Sequence, residues 1–243
     1  MADRRIGAAL RALVLEDDLP ADPLGGEEES VLMNLNRQRI FQHLCFFPCS
    51  SLAQVASALR MSGPTVQWHV AKLARARYLR SLPSGRSQLW YPFALSLDAA
   101  EVSALATVNG FGAAPILSLI VARPGLTLRQ LSEAAGVGTG AARLQASRLV
   151  ATGLSVVITD GRYRRFYPGD RIGEIERSAR RKLRVFRARL LARLEHEKLR
   201  PSAAPSMSRD QAIELHVGDR DYVLRIPSGS LLLALAPPEA SDA

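Results

Sequence analysis

Residues 115–168 read PILSLIVARPGLTLRQLSEAAGVGTGAARLQASRLVATGLSVVITDGRYRRFYP, and residues 39–92 read RIFQHLCFFPCSSLAQVASALRMSGPTVQWHVAKLARARYLRSLPSGRSQLWYP. At a constant offset of 76 the two stretches need no gap and share 10 identities in 54 positions, against about 4 expected from background composition. The identities are Ile40/Ile116, Pro48/Pro124, Leu52/Leu128, Gln54/Gln130, Ala58/Ala134, Leu73/Leu149, Gly85-Arg86/Gly161-Arg162 and Tyr91-Pro92/Tyr167-Pro168. They fall at helix starts, apolar face positions and a Gly-Arg turn, where a fold is specified. A repeat of this length exceeds a solenoid unit and suits one small domain used twice.

Each copy reads as three helices and a hairpin. In the first, Leu32, Leu35, Ile40, Leu44 and Phe47 recur at helical spacing until Pro48. Ser51 caps a second helix, Leu52–Leu59, with Leu52, Val55, Ala56 and Leu59 inward. After a corner at Arg60-Met61-Ser62, Ser62 caps a third helix with Pro64 in its first turn, where a missing N–H matters least. Val66, Val70 and Leu73 form its apolar stripe, and strands Tyr78–Leu82 and Gln88–Phe93 follow. The second copy keeps the order: Ile116–Ala122, Thr127 capping Leu128–Ala135, then a helix from Thr139 to Ala151 ended by Gly153. Strands Leu154–Thr159 and Tyr163–Tyr167 flank Asp160-Gly161, a favoured hairpin dipeptide.

Charge narrows the class of partner. The 243 residues carry a net +9, but residues 1–30 hold 3 Arg against 8 Asp and Glu, which leaves +14 on the rest. A basic body predicts a polyanionic partner, nucleic acid ahead of a membrane surface. The 29 Arg against 3 Lys reflect, in the plainest reading, a GC-rich genome, which explains the ratio but not the sign of the charge. No apolar run reaches the ~18 residues of a membrane span. The N-terminal residues do not read as a signal peptide, and two cysteines, Cys45 and Cys49, build no disulfide framework, so the expected compartment is a reducing cytoplasm.

Ser62-x-x-Thr65-Val66-x-x-His69-Val70-x-x-Leu73 resembles the recognition helix of ArsR-type winged-helix regulators, a pattern shared with MarR-type proteins. Gly161-Arg-Tyr-Arg-Arg-Phe-Tyr-Pro168 resembles the second wing of archaeal tandem winged-helix transcriptional regulators. The likeness covers about residues 31–170. It implies a mainly α fold with small β wings: two tandem winged helix-turn-helix domains, a long C-terminal basic helix and a small C-terminal β-hairpin. The metal-sensing Cys-x-Cys of the ArsR family is missing, so no metal role carries over.

In that fold the third helix enters the major groove. The outward positions are then Pro64, Thr65, Gln67, Trp68, Lys72 and Arg75 in the first copy, and Thr139, Gly140, Arg143, Leu144 and Arg148 in the second. Gln67 suits adenine and the aligned Arg143 suits guanine; the plainer alternative is a solvated helix face. The second wing carries Arg162, Arg164 and Arg165, with strand alternation sending Arg162 and Arg164 to one side and Tyr163 and Arg165 to the other. The first wing has Arg80 and Arg86. Arginines on a wing clamp phosphates or enter a minor groove; the plainer alternative is a solvated basic hairpin. His69 reads as a packing or phosphate-contacting residue rather than a metal ligand, and Trp68 either as core or as a stacking or partner surface.

The expected organisation is an acidic extension (1–30), a first winged unit (31–93), a linker helix (94–112) opening on the capping box Asp98-x-x-Glu101, a second winged unit (113–170), a long helix (171–200) and a tail (201–243). In the long helix Ile172, Ile175, Ala179, Leu183, Phe186, Leu190 and Leu194 form a seam that packs either on the same chain or on a second copy as a homodimer. Its basic cluster, Arg177, Arg180, Arg181, Lys182 and Arg184, fits phosphate contact, the plainer alternative being the solvated outer face of a dimerisation helix. The tail reads as loop Pro201–Ser208, a hairpin of Ile213–Val217 and Tyr222–Ile226, and a third strand at Leu231–Leu235. No phosphate-binding glycine loop, HExxH or nucleophile–His–acid set is present, so no catalytic residue or cofactor is expected. His43, Cys45 and Cys49 form a thin metal pattern whose alternative is buried thiols at a helix end. The expected activity is sequence-specific binding of double-stranded DNA in transcriptional regulation. The rivals are a protein-interaction scaffold and a non-specific architectural DNA binder.

Overall fold

The computed structural model describes residues 31–85, 87–110, 112–203, 210–217 and 220–232. The acidic stretch 1–30, Arg86 and Leu233–Leu235 lie outside them. The described chain is a mixed helix–strand fold in which helix predominates and the strands form three small antiparallel sheets.

Unit one contains α1 (Leu35–Phe46), α2 (Leu52–Leu59), α3 (Gly63–Arg75), β1 (Leu79–Ser84) and β2 (Ser87–Pro92). A linker helix, α4 (Ala99–Val108), leads to unit two: α5 (Ala113–Ala122), β3 (Leu126–Thr127), α6 (Leu128–Ala135), α7 (Thr139–Ala151), β4 (Ser155–Asp160) and β5 (Tyr163–Pro168). The shared glutamines have a structural cause. Ser51 and Gln54 form a capping box on α2, and Thr127 and Gln130 form the same box on α6, each satisfying two otherwise unpaired amides. Ile40, Leu44, Val55, Val66, Val70 and Leu73 fill the core of unit one, and Ile116, Ile120, Leu131, Ala142, Ala146 and Leu149 take the matching places in unit two.

Backbone hydrogen bonds repeat at the same offset. Cys49 donates to the Trp90 carbonyl at 2.9 Å and Gly125 to that of Phe166 at 2.8 Å. Tyr78 donates to Leu73 at 2.8 Å and Leu154 to Leu149 at 3.0 Å. Phe93 to Tyr78 (2.9 Å) matches Gly169 to Leu154 (3.0 Å). A short third strand edges each hairpin: β3 beside β5 in unit two, and the single bridge Ser50–Trp90 in unit one.

The expected helix over 94–112 is shorter than predicted. It covers only Ala99–Val108, and Gly112, at φ 81°, starts α5 separately. Asp98 and Glu101 do form its capping box. The long helix α8 runs Asp170–His196, and its seam residues Ile175, Ala179, Leu183, Phe186, Leu190 and Leu194 are buried within the same chain. In the tail, β7 (Asp210–Val217) and β8 (Arg220–Pro227) make the predicted hairpin, but the third strand is β6 (Pro201–Ala203), from the stretch read as loop. Leu199 accepts from the His216 amide at 3.1 Å, which draws the chain after α8 alongside β7. Leu231 and Leu232 are buried but not in a strand.

Helix α8 returns the chain from unit two to unit one. Lys182 and Ser178 bond Glu101 of α4. Near its end the Arg193 guanidinium lies 3.7 Å from the Tyr78 ring centroid and donates to the carbonyls of Ala76 and Arg77, just past the C-terminus of α3. Glu197 accepts from the Tyr78 hydroxyl at 2.6 Å.

Candidate nucleic-acid interface

Helix α3 buries Val66, His69, Val70 and Leu73 and turns its other face to solvent. Pro64, Thr65 and Arg75 are exposed, Gln67 and Lys72 half-buried. The Thr65 hydroxyl is 2.6 Å from that of the capping Ser62, so its free hydrogen-bonding capacity is partly used. Trp68 is 54% exposed, which settles its alternatives in favour of a surface; the Lys72 ammonium lies 5.6 Å from its ring centroid and His69 meets it edge-on at 4.8 Å. His69 itself is buried and packs in the unit. Burial first, then the charge of Arg37, holds its imidazole below the usual histidine range.

On α7 the buried stripe is Ala142, Ala146 and Leu149. Thr139, Gly140, Arg143, Leu144 and Arg148 are exposed. Arg143 makes no hydrogen bond or ion pair among the described residues. Five residues of helix separate Arg148 from Arg143, about 140° of rotation, and Arg148 faces elsewhere. With Gln145 it lines a cleft of about 790 Å³ bounded by the β1–β2 turn (Pro83, Ser84, Ser87) and α4 (Ser103, Thr107). Sequence spacing alone had grouped Arg148 with Arg143; the position of the unit-one hairpin beside α7, which separates them, has no local signal.

The two hairpins turn on the matched glycines Gly85 and Gly161, both at φ 58°. In unit two the pleat alternation holds for the strand but not the turn. Arg162, the second turn residue, stacks on Tyr163 with its guanidinium 5.0 Å from the ring centroid and donates to the Tyr163 hydroxyl at 2.8 Å. Arg165 approaches the same ring at 5.9 Å. Arg162 and Arg165 therefore share Tyr163, and the expected pairing of Arg162 with Arg164 on one side is corrected. Arg165 is also tied down, paired with Asp160 at 2.8 Å and donating to the Gly125 carbonyl at 3.0 Å. Arg164 is exposed and makes no hydrogen bond, ion pair or ring contact among the described residues. In unit one Arg80 turns back over Tyr91, 5.1 Å from its ring centroid.

The remaining candidates are internal. Cys45 and Cys49 are buried; burial raises both thiols, and burial together with the negative charge of Glu101 pushes Cys49 up to about 12. Among the described residues no three His, Cys, Asp or Glu side chains converge on a metal-sized site, and no single helix is long and apolar enough to cross a membrane. Lys182, grouped by sequence with the free arginines of α8, is bound to Glu101. The chain matches no known protein-family model, and no curated protein is significantly similar to it in sequence.

Proposed function

We propose that the two units are tandem winged helix-turn-helix domains and that the chain is a sequence-specific double-stranded DNA-binding regulator of transcription, of the archaeal, ArsR- or MarR-like kind. The observation that carries this reading is the doubled presentation of one surface. In each unit the third helix is anchored by a buried stripe and turns its other face to solvent, with Gln67 and Arg143 at the same register position. A major groove admits one α-helix. Arg162 and Arg164, on the second hairpin, supply cations beside it for phosphates.

Selection of bound duplexes from a random pool, followed by binding at several salt concentrations, tests the reading. Gln67→Ala and Arg143→Ala are each expected to change preference at one or two base pairs, by about 1–3 kcal/mol. Arg162→Ala with Arg164→Ala is expected to weaken all duplexes alike and to lower the salt slope by about 2. Arg165 is left intact because its bonds hold β5 to Asp160 and Gly125.

One observation favours a docking scaffold instead. Trp68 (54% exposed) and Leu144 (51% exposed) occupy the same register position on α3 and α7, so both outer faces carry a large apolar group. Absence of duplex binding at about 50 mM salt, where phosphate contacts are strong, decides for the scaffold. Binding with no base preference decides for an architectural role.

A further inference from the structure

The cations of α8 fall into two groups. Arg171 pairs with Glu174 at 2.7 Å, Lys182 with Glu101, and Arg193 with Glu197 at 2.9 Å. Arg187 donates to Gln211 and Arg189 to the Ala94 carbonyl. Arg177, Arg180, Arg181 and Arg184 do none of this. All four are exposed and have no hydrogen bond or ion pair among the described residues.

Their spacing, i, i+3, i+4 and i+7, puts them on one face. That face lies opposite the buried seam of Ile175, Ala179, Leu183 and Phe186. Seven residues of helix span about 10 Å, so four guanidinium groups crowd two turns. The acids nearest in sequence are engaged: Glu174 by Arg171, and Glu176 by the Ser230 hydroxyl at 2.7 Å. Such a strip repels itself and concentrates counter-ions until a polyanion replaces them. Guanidinium groups match phosphate oxygens in paired, planar contacts.

We propose that this strip is a phosphodiester-backbone site, separate from α3 and α7, that grips the duplex without reading its sequence. The proposal rests on the DNA-binding reading above. A lipid surface fits less well, because the helix has already buried its apolar side in the protein and has none left to insert.

The test uses the full chain and a labelled duplex carrying the selected site. Arg177, Arg180, Arg181 and Arg184 are changed together to Gln in one variant and to Lys in another. Neither variant should unfold at a lower temperature, since none of the four makes a hydrogen bond or ion pair among the described residues and the Gln variant also loses the repulsion within the strip. The Gln variant is expected to lower the slope of log affinity against log salt by about 3 to 4, while base preference stays that of the original chain. The Lys variant should restore most of the slope. A Gln variant with the original affinity and slope overturns the proposal and leaves the DNA reading standing. An original chain that binds no duplex at low salt overturns the reading itself. Loss, in the Gln variant, of binding to phosphatidylserine vesicles or polyglutamate but not to duplex assigns the strip to another partner and overturns the proposal.

Discussion

Units one and two follow the same backbone path but are held in it differently. Three corners of the repeat adopt left-handed backbone in both. In unit two they are Gly125 (φ 89°), Gly136 (φ 64°) and Gly153 (φ 72°); in unit one the aligned residues are Cys49 (φ 64°), Arg60 (φ 53°) and Arg77 (φ 55°). A side chain in that region costs about 1–2 kcal/mol. Unit two avoids the strain by composition. Unit one accepts it, and at Arg77 the rest of the molecule secures the corner: Arg193 binds the carbonyls of Ala76 and Arg77 and stacks on Tyr78, whose hydroxyl is held by Glu197. The corners of unit two are made with glycine, whereas the Arg77 corner of unit one is completed by α8.

The strongest way to break this asymmetry is to cut α8 from the linker. Lys182→Met leaves the Glu101 carboxylate buried without its cation, which is expected to destabilise the chain by about 3 kcal/mol. Denaturant unfolding measures it, and Glu101→Gln added to Lys182→Met should recover much of the loss, because the amide keeps the capping box without the buried charge. Next comes Arg193→Ala, which removes two carbonyl contacts, the pair with Glu197 and the stacking on Tyr78. A loss of about 2 kcal/mol is expected, with hydrogen exchange accelerating first at Tyr78 and the end of α3 and least in α7. Equal acceleration in both units contradicts the comparison.

The corners themselves offer a smaller, opposed pair. Gly136→Ala meets no neighbour within 4 Å, so only backbone strain acts, and about 1 kcal/mol should be lost. Arg60→Gly relieves the same strain in unit one and should gain up to about 1 kcal/mol, reduced by the greater freedom of glycine in the unfolded chain.

The smallest effect is a pH dependence confined to one unit. His43 and His69 belong to unit one, and the aligned positions in unit two are Leu119 and Gln145. Burial holds both imidazoles below their ordinary value near 6.5, with Arg37 adding to the effect at His69. The folded state therefore binds fewer protons than the unfolded state once pH drops below that value. Stability is full above about 6.5 and falls as pH decreases through the lowered folded values. Acid should loosen unit one before unit two, and His69→Gln, which installs the unit-two residue, should reduce the difference. Amide exchange at pH 7 and pH 5 reports it.

What was legible in the sequence was local. Ser51 and Thr127 are caps, Pro64 sits in the first turn of α3, and the apolar periodicity located α6, α7 and the α8 seam because each signal lies within a few residues of its consequence. The seam periodicity, however, is the same whether its partner is a second copy or the same chain, and only the fold decides. The bridge from Ser50 to Trp90, strand β6 and the engagement of Lys182 by Glu101, 81 residues away, depend on distant segments. At the candidate interface, helical spacing identified the outward faces of α3 and α7. It missed Arg162 folding onto Tyr163, because strand alternation ends where the turn begins, and it missed the turning of Arg148 into the cleft beside the unit-one hairpin.

The hydrogen bond from Tyr78 to Glu197 joins residues 119 apart, and the Arg225 amide reaches Gln42 across 183. Translation proceeds from the N-terminus, so unit one leaves the ribosome with its corner unfinished. The residues that complete it follow roughly one hundred positions later, about 5–20 s at ordinary elongation rates. Unit two, whose corners need only glycine, can settle as soon as its own hairpin emerges. A chain stopped before Arg193 is therefore expected to exchange its amides faster at the Tyr78 corner than at the glycine corners of unit two.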